Sequence, residues 1–111
     1  MKQTLYSLSP EIGERSFMDL FKREAELREQ FEDNQIQFLL TELDTATTFC
    51  SVARTSDNPE KIKRNVANAC EGYKALLKFA GSAHFSSSSK SEYDSKMAHL
   101  KTLLRELGQD V

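Results

Sequence analysis

The sequence predicts an all-α protein, an antiparallel three-helix bundle with a long first helix. Three observations predict it. Residues 16–54 hold neither Pro nor Gly, and their apolar residues recur at helical spacing: Phe17, Leu20, Phe21, Ala25, Leu27, Phe31, Ile36, Leu39, Leu43, Ala46, Cys50 and Ala53. Two further apolar-periodic segments follow, each bounded by capping and stop residues. With 111 residues, 39% of them hydrophobic and 29% charged, the chain has the size and composition of one globular domain with a modest core.

Residues 1–15 read as a tail or short helical lead-in, and residues 16–111 as the bundle domain. Ser9-Pro10-Glu11 offers a start, with Ser as cap and Pro in the first turn, but Gly13 weakens a helix there. Ser16, with Asp19 three residues on, approximates a capping box and is the expected start. From there the helix runs to about Thr55. At 100° per residue, Arg23, Glu26, Gln30, Asp33, Gln37, Thr41, Asp44 and Thr48 share one polar arc. The apolar arc opposite carries two stripes. One holds Phe21, Ala25, Leu39, Leu43, Ala46, Cys50 and Ala53, and the other holds Leu20, Leu27, Phe31, Phe38, Phe49 and Val52. Two apolar stripes call for neighbours on two sides. Glu32-Asp33-Asn34-Gln35 is the most polar point of the stretch. A break near Asn34 would give a four-helix up-down bundle as the alternative.

Ser56-Asp57-Asn58-Pro59-Glu60 is the clearest punctuation in the chain. Asp57 or Asn58 caps, Pro59 takes the first helical position, and Glu60 sits at the positive end of the dipole. The second helix then runs to about Ala80 on a core face of Ile62, Val66, Ala69, Cys70, Tyr73, Leu76, Leu77 and Ala80, with Gly81 as its stop. A polar loop over residues 82–88 leads to Ser89, which with Glu92 forms a capping box for the third helix. Tyr93, Met97, Leu100, Leu103, Leu104 and Leu107 line its apolar face, and Gly108 ends it.

At 1.5 Å per residue the three helices span about 58, 33 and 27 Å. Short loops make neighbours antiparallel, so the second and third helices cover only the later half of the first. The uncovered half carries Phe17, Leu20, Phe21, Leu27 and Phe31. With Phe38, these six form a candidate interface for a second copy or a helical protein partner. A core role in a fourth helix is the other reading. Arg64, Asn65, Asn68 and Tyr73 form a candidate polar surface on the second helix. It would face a ligand or make a close helix contact with hydrogen bonds to Thr45 or Thr48.

Chemistry-bearing residues are few. A net charge of −2 lacks the one-sided basic field of a nucleic-acid binder or a ligand of acidic membranes. No apolar run reaches the ~20 residues of a bilayer span, and the start has no signal-peptide core. The expected location is the cytoplasm, which suits two cysteines placed in helical patterns. In an antiparallel hairpin Cys50 and Cys70 fall more than the ~7 Å apart that a disulfide tolerates between Cα atoms, and read as small core residues. His84 and His99 are too few and too separated for a metal or catalytic centre. No cofactor motif is present. The run Ser86-Ser87-Ser88-Ser89 reads as a linker.

The segments Leu43-Asp44-Thr45-Ala46-Thr47-Thr48-Phe49, Asp57-Asn58-Pro59-Glu60, Asn65-Val66-Ala67-Asn68-Ala69 and Tyr73 resemble a hairpin of short bacterial helical proteins without assigned function. They are also similar to the helix pairs of tetratricopeptide repeats, though with no second unit and no repeat period. The resemblance covers about a third of the chain. It implies an α-hairpin and a scaffolding role, and transfers no active site. The expected function is protein–protein interaction or scaffolding, by self-association through the first helix. The alternative is a small ligand-binding or regulatory bundle, and an enzyme is not expected.

Overall fold

The structure is a computed structural model that describes residues 10–111, with side chains from residue 17 onward. The expected cap at Ser9 and residues 1–9 of the expected tail lie outside the described residues. Three helices are present, α1 (Pro10–Thr55), α2 (Pro59–Ala80) and α3 (Ser87–Glu106), and no strand occurs among the described residues. The fold is the all-α three-helix bundle with a long first helix.

Helix α1 starts at Pro10, not at Ser16. Pro at a first helical position gives up only an N–H that has no intrahelical partner there, so it opens a helix readily. Glu32 to Gln35 are helical, so no break occurs near Asn34 and the four-helix alternative does not form. Poor helix formers cost a few tenths of a kcal/mol each, too little to interrupt a long helix without Pro or Gly beside them.

The chain falls into two units that meet between Asp33 and Asn34. In the first, residues 10–33 are helical throughout, and every described side chain except the half-buried Glu32 is exposed. The second unit, Asn34–Val111, holds the core. Leu39, Leu43 and Cys50 of α1, Leu76 of α2 and Leu100 and Leu104 of α3 are its largest fully buried side chains. Ile36, Leu40, Ala46, Ala69, Tyr93 and Leu103 complete the cluster. Within this unit α1 buries the stripe of Leu39, Leu43, Ala46, Cys50 and Ala53, and half-buries Phe49 and Val52.

Each junction has an identifiable cause. Asn58 caps α2 by accepting from the backbone N–H groups of Glu60 and Lys61 at 3.0 and 3.2 Å. Ser86, not Ser89, caps α3. Its hydroxyl accepts from the Ser89 N–H at 3.1 Å, while the Ser89 hydroxyl accepts from the Ser86 N–H at 2.9 Å. A serine three residues on thus closes the reciprocal pair expected from Glu92. Gly108 lies at φ +88°, and its N–H donates to the Arg105 carbonyl at 2.9 Å while that of Gln109 donates to the Leu104 carbonyl at 2.9 Å. This is the Schellman arrangement, which needs the left-handed residue that Gly supplies without strain. Gly81 stops α2 in right-handed geometry, at φ −62°.

Two residues of α2 depart from expectation. Leu77 is exposed and Asn65 is buried. Leu77 sits about 100° around the helix from the buried Leu76, whereas Asn65 lies nearly in line with Ala69 and Leu76. The Asn65 amide donates to the Lys61 carbonyl at 2.8 Å, so its burial leaves a satisfied donor. Its expected bonds to Thr45 or Thr48 do not form. Those hydroxyls donate to the carbonyls of Thr41 and Asp44 on their own helix.

Candidate interaction surface

The residues predicted for an interface are all exposed. Phe17, Leu20, Phe21, Leu27 and Phe31 of the first unit and Phe38 of the second keep 58–68% of their surface in water. Counted at 100° per residue, the first five occupy an arc of about 120° on the helix. Phe17 and Phe21 stack one turn apart, with ring centroids 5.0 Å apart and planes tilted by 31°. Beside them the Arg28 guanidinium donates to the Glu24 carboxylate at 2.7 Å. Met18 is exposed as well. Single exposed apolar residues are ordinary, but a stripe of this length is not.

In the second unit Phe38 lines a small apolar cleft of about 190 Å³ with Leu39, Ala75, Leu76 and Phe79. Phe79 is itself half exposed, with the Lys78 ammonium 5.8 Å from its ring centroid. The sequence reading missed Phe79. Its position one step past the core face was the available signal, but in a chain of apolar-rich helices it carried little weight.

The polar residues predicted on α2 are not brought together. Arg64 is exposed, and Asn65 is turned into the core. Asn68 lines an open groove of about 720 Å³ between α1 and α2, with Glu42, Thr45, Phe49, Glu71 and Lys74. At its floor a Cβ on Gly72 would lie 3.3 Å from the Cβ of Ala46. Tyr73 instead faces a second depression, of about 400 Å³, beside Leu77, Tyr93 and Met97.

Three ionisable residues of the bundle are shifted by their surroundings, each upward. Burial pushes the Cys50 thiol up, and the nearby Cys70 adds to it, so Cys50 stays protonated and is a poor nucleophile. Both cysteines are free, and the half-buried Cys70 thiol donates to the Gln109 side-chain oxygen at 3.4 Å. Tyr93 is raised by burial, with smaller contributions from Asp94 and Tyr73, and its hydroxyl donates to the Leu76 carbonyl at 3.3 Å. Lys96 is raised chiefly by its 2.7 Å hydrogen bond to Asp44, which ties α3 to α1. Among the described residues no cluster of three His, Cys, Asp or Glu side chains is placed to hold a metal ion. No described helix is long and apolar enough to cross a membrane.

Comparison of the chain with protein-family models, with curated proteins and with solved structures finds no match.

Proposed function

We propose that this protein is a cytoplasmic interaction module that self-associates through the exposed apolar stripe of α1. The observation that carries the reading is the contrast within one helix. Leu39, Leu43 and Cys50 are covered by α2 and α3, whereas Phe17, Leu20, Phe21, Leu27 and Phe31 have the same helical spacing and stay in water. Six large side chains about three-fifths exposed leave roughly 600 Å² to cover on each copy. Two copies meeting there would bury on the order of 1,200 Å², the lower edge of the range for stable specific interfaces.

The test is the solution mass by light scattering on a sizing column across a concentration series. The wild-type chain is expected at twice its monomer mass or more at high concentration. Phe21→Glu combined with Phe31→Glu is expected at monomer mass with its helical circular dichroism intact. A wild-type monomer at every concentration refutes self-association.

The groove lined by Asn68, Glu42, Glu71 and Lys74 favours a second reading, a small polar ligand held between α1 and α2. That reading predicts a monomer whose thermal stability rises with one class of metabolite in a screen.

A further inference from the structure

Within the second unit, α3 covers α1 and α2 on one face only. Their other face is a groove that, among the described residues, receives no side chain from α3. The open depression over Gly72 and the apolar cleft beside Phe38 run together there, since Glu42 and Ala75 line both. The groove extends from Phe38 and Phe79 at one end to Phe49 and Asn68 at the other. Phe38 and Phe49 on α1 are eleven residues apart, as are Asn68 and Phe79 on α2, about 16 Å of helix in each case. Ala46 and Gly72 form the floor and present no large side chain to an incoming helix.

The first unit carries an apolar stripe of matching length. Leu20 and Phe31 are also eleven residues apart, with Phe21 and Leu27 between them on the same arc. A helix that lays such a stripe into a groove buries both surfaces at once. Here it would give α1 and α2 a fourth neighbour opposite α3, the arrangement of a four-helix bundle.

Charge separates the groove from the other seat available in a second copy, its own stripe. Residues 17–33 hold six acidic and three basic side chains, so stripe against stripe brings two acid-rich helices together. Helix α2 holds five basic and two acidic side chains. Three of the basic ones, Arg64, Lys74 and Lys78, are exposed along the groove, Arg64 one turn before Asn68 and Lys78 one turn after Lys74. Glu71 is the only acid of α2 between Arg64 and Lys78, and Glu42 faces it from α1. An acid-rich helix is drawn to that basic rim and repelled by its own copy.

We propose, resting on self-association through α1, that the apolar stripe of one copy's first unit docks as a helix in the α1–α2 groove of a second copy. Each chain carries both surfaces, and each surface lies wholly within one unit.

Two full-length variants separate the surfaces. Phe21→Glu with Phe31→Glu removes the stripe, and Arg64→Glu with Phe79→Glu disables the groove at two exposed positions. Each variant alone is expected at monomer mass by light scattering, with its helical circular dichroism intact. Their equimolar mixture is expected at twice that mass, because one intact stripe then meets one intact groove. A groove variant that assembles as the wild type does overturns the groove as the seat while leaving self-association standing. A mixture that stays at monomer mass at high concentration overturns the groove as well. A wild-type chain that is monomeric throughout overturns both readings.

Salt tests the charge argument with no substitution. Between about 0.1 and about 1 M sodium chloride the screening length falls from about 10 Å to about 3 Å, and the wild-type assembly is expected to weaken at least about threefold. An assembly that is unchanged or strengthened, as two acid-rich stripes relieved of repulsion would be, overturns the groove.

Discussion

Phe31→Ala and Leu43→Ala separate a surface that awaits a partner from one already covered. Leu43 has none of its surface exposed, and removing it leaves a cavity in the packed core of the second unit. Such a loss costs about 2–5 kcal/mol. Phe31 is 68% exposed, so only about a third of the ring's surface is removed from water in the single chain. The better helix propensity of Ala returns about half a kcal/mol, and the net effect on the separated chain is expected within ~1 kcal/mol of zero. In the assembly the other two thirds of the ring, roughly 130 Å², would be covered. At about 25 cal/mol per Å² this amounts to about 3 kcal/mol per copy, and to roughly a ten-thousandfold rise in dissociation constant for a symmetric pair. The assay is a dilution series followed both by light scattering and by thermal melting. Phe31→Ala should match the wild-type melting temperature at high dilution and fall below it as concentration rises. Leu43→Ala should be lower by a similar amount at every dilution. A Phe31→Ala chain that melts several degrees below the wild type when both are monomeric would refute the reasoning, because Phe31 would then be core.

Three further outcomes follow from the bundle. Cys50, Tyr93 and Lys96 all have raised pKa values, so the unfolded chain releases these protons first, and their stabilisation is complete below about pH 9 and lost as pH climbs beyond the ordinary values of these groups. Urea midpoints measured from pH 7 to 11 should fall along that limb, and less steeply in Tyr93→Phe. Gly108→Ala forces a Cβ into the left-handed region at φ +88° and should cost about 1–2 kcal/mol, read as a melting temperature lower by several degrees. Gly72→Leu should cost about 1–3 kcal/mol by overpacking against Ala46, whereas Gly72→Ala, where a helix-propensity gain of about 1 kcal/mol meets a 3.3 Å contact, should be nearly neutral in chemical denaturation.

Much of the fold was legible because its signals are local. Asn58-Pro59 marks the start of α2 through two side-chain bonds to nearby N–H groups, and Gly108 marks the end of α3 through its own φ. The misreadings share one cause, that several residues satisfied the same local rule. Ser86 and Ser89 can each cap α3, and the choice falls to the one whose partner three residues on closes the reciprocal pair. Leu76 and Leu77 are both apolar neighbours on α2, and which is buried depends on where α1 and α3 lie. The docking of Gln109 on Cys70 was not legible at all, since it joins residues 39 apart through a weak thiol donor.

The candidate surface was legible for a different reason. Phe31 and Leu43 are indistinguishable to periodicity, because each lies on an apolar stripe of one helix. Supply of neighbours distinguishes them. Two helices of 22 and 20 residues, joined by short turns, have a fixed length of apolar face to offer, and the 46-residue α1 has more to cover than they can reach. Burial accordingly begins at Ile36, and the described residues before it contribute no member to the core. Had the earlier stripe been polar, the same geometry would describe a solvated helix without a task. Five large apolar residues held in water are instead the surface that the proposed second copy would cover.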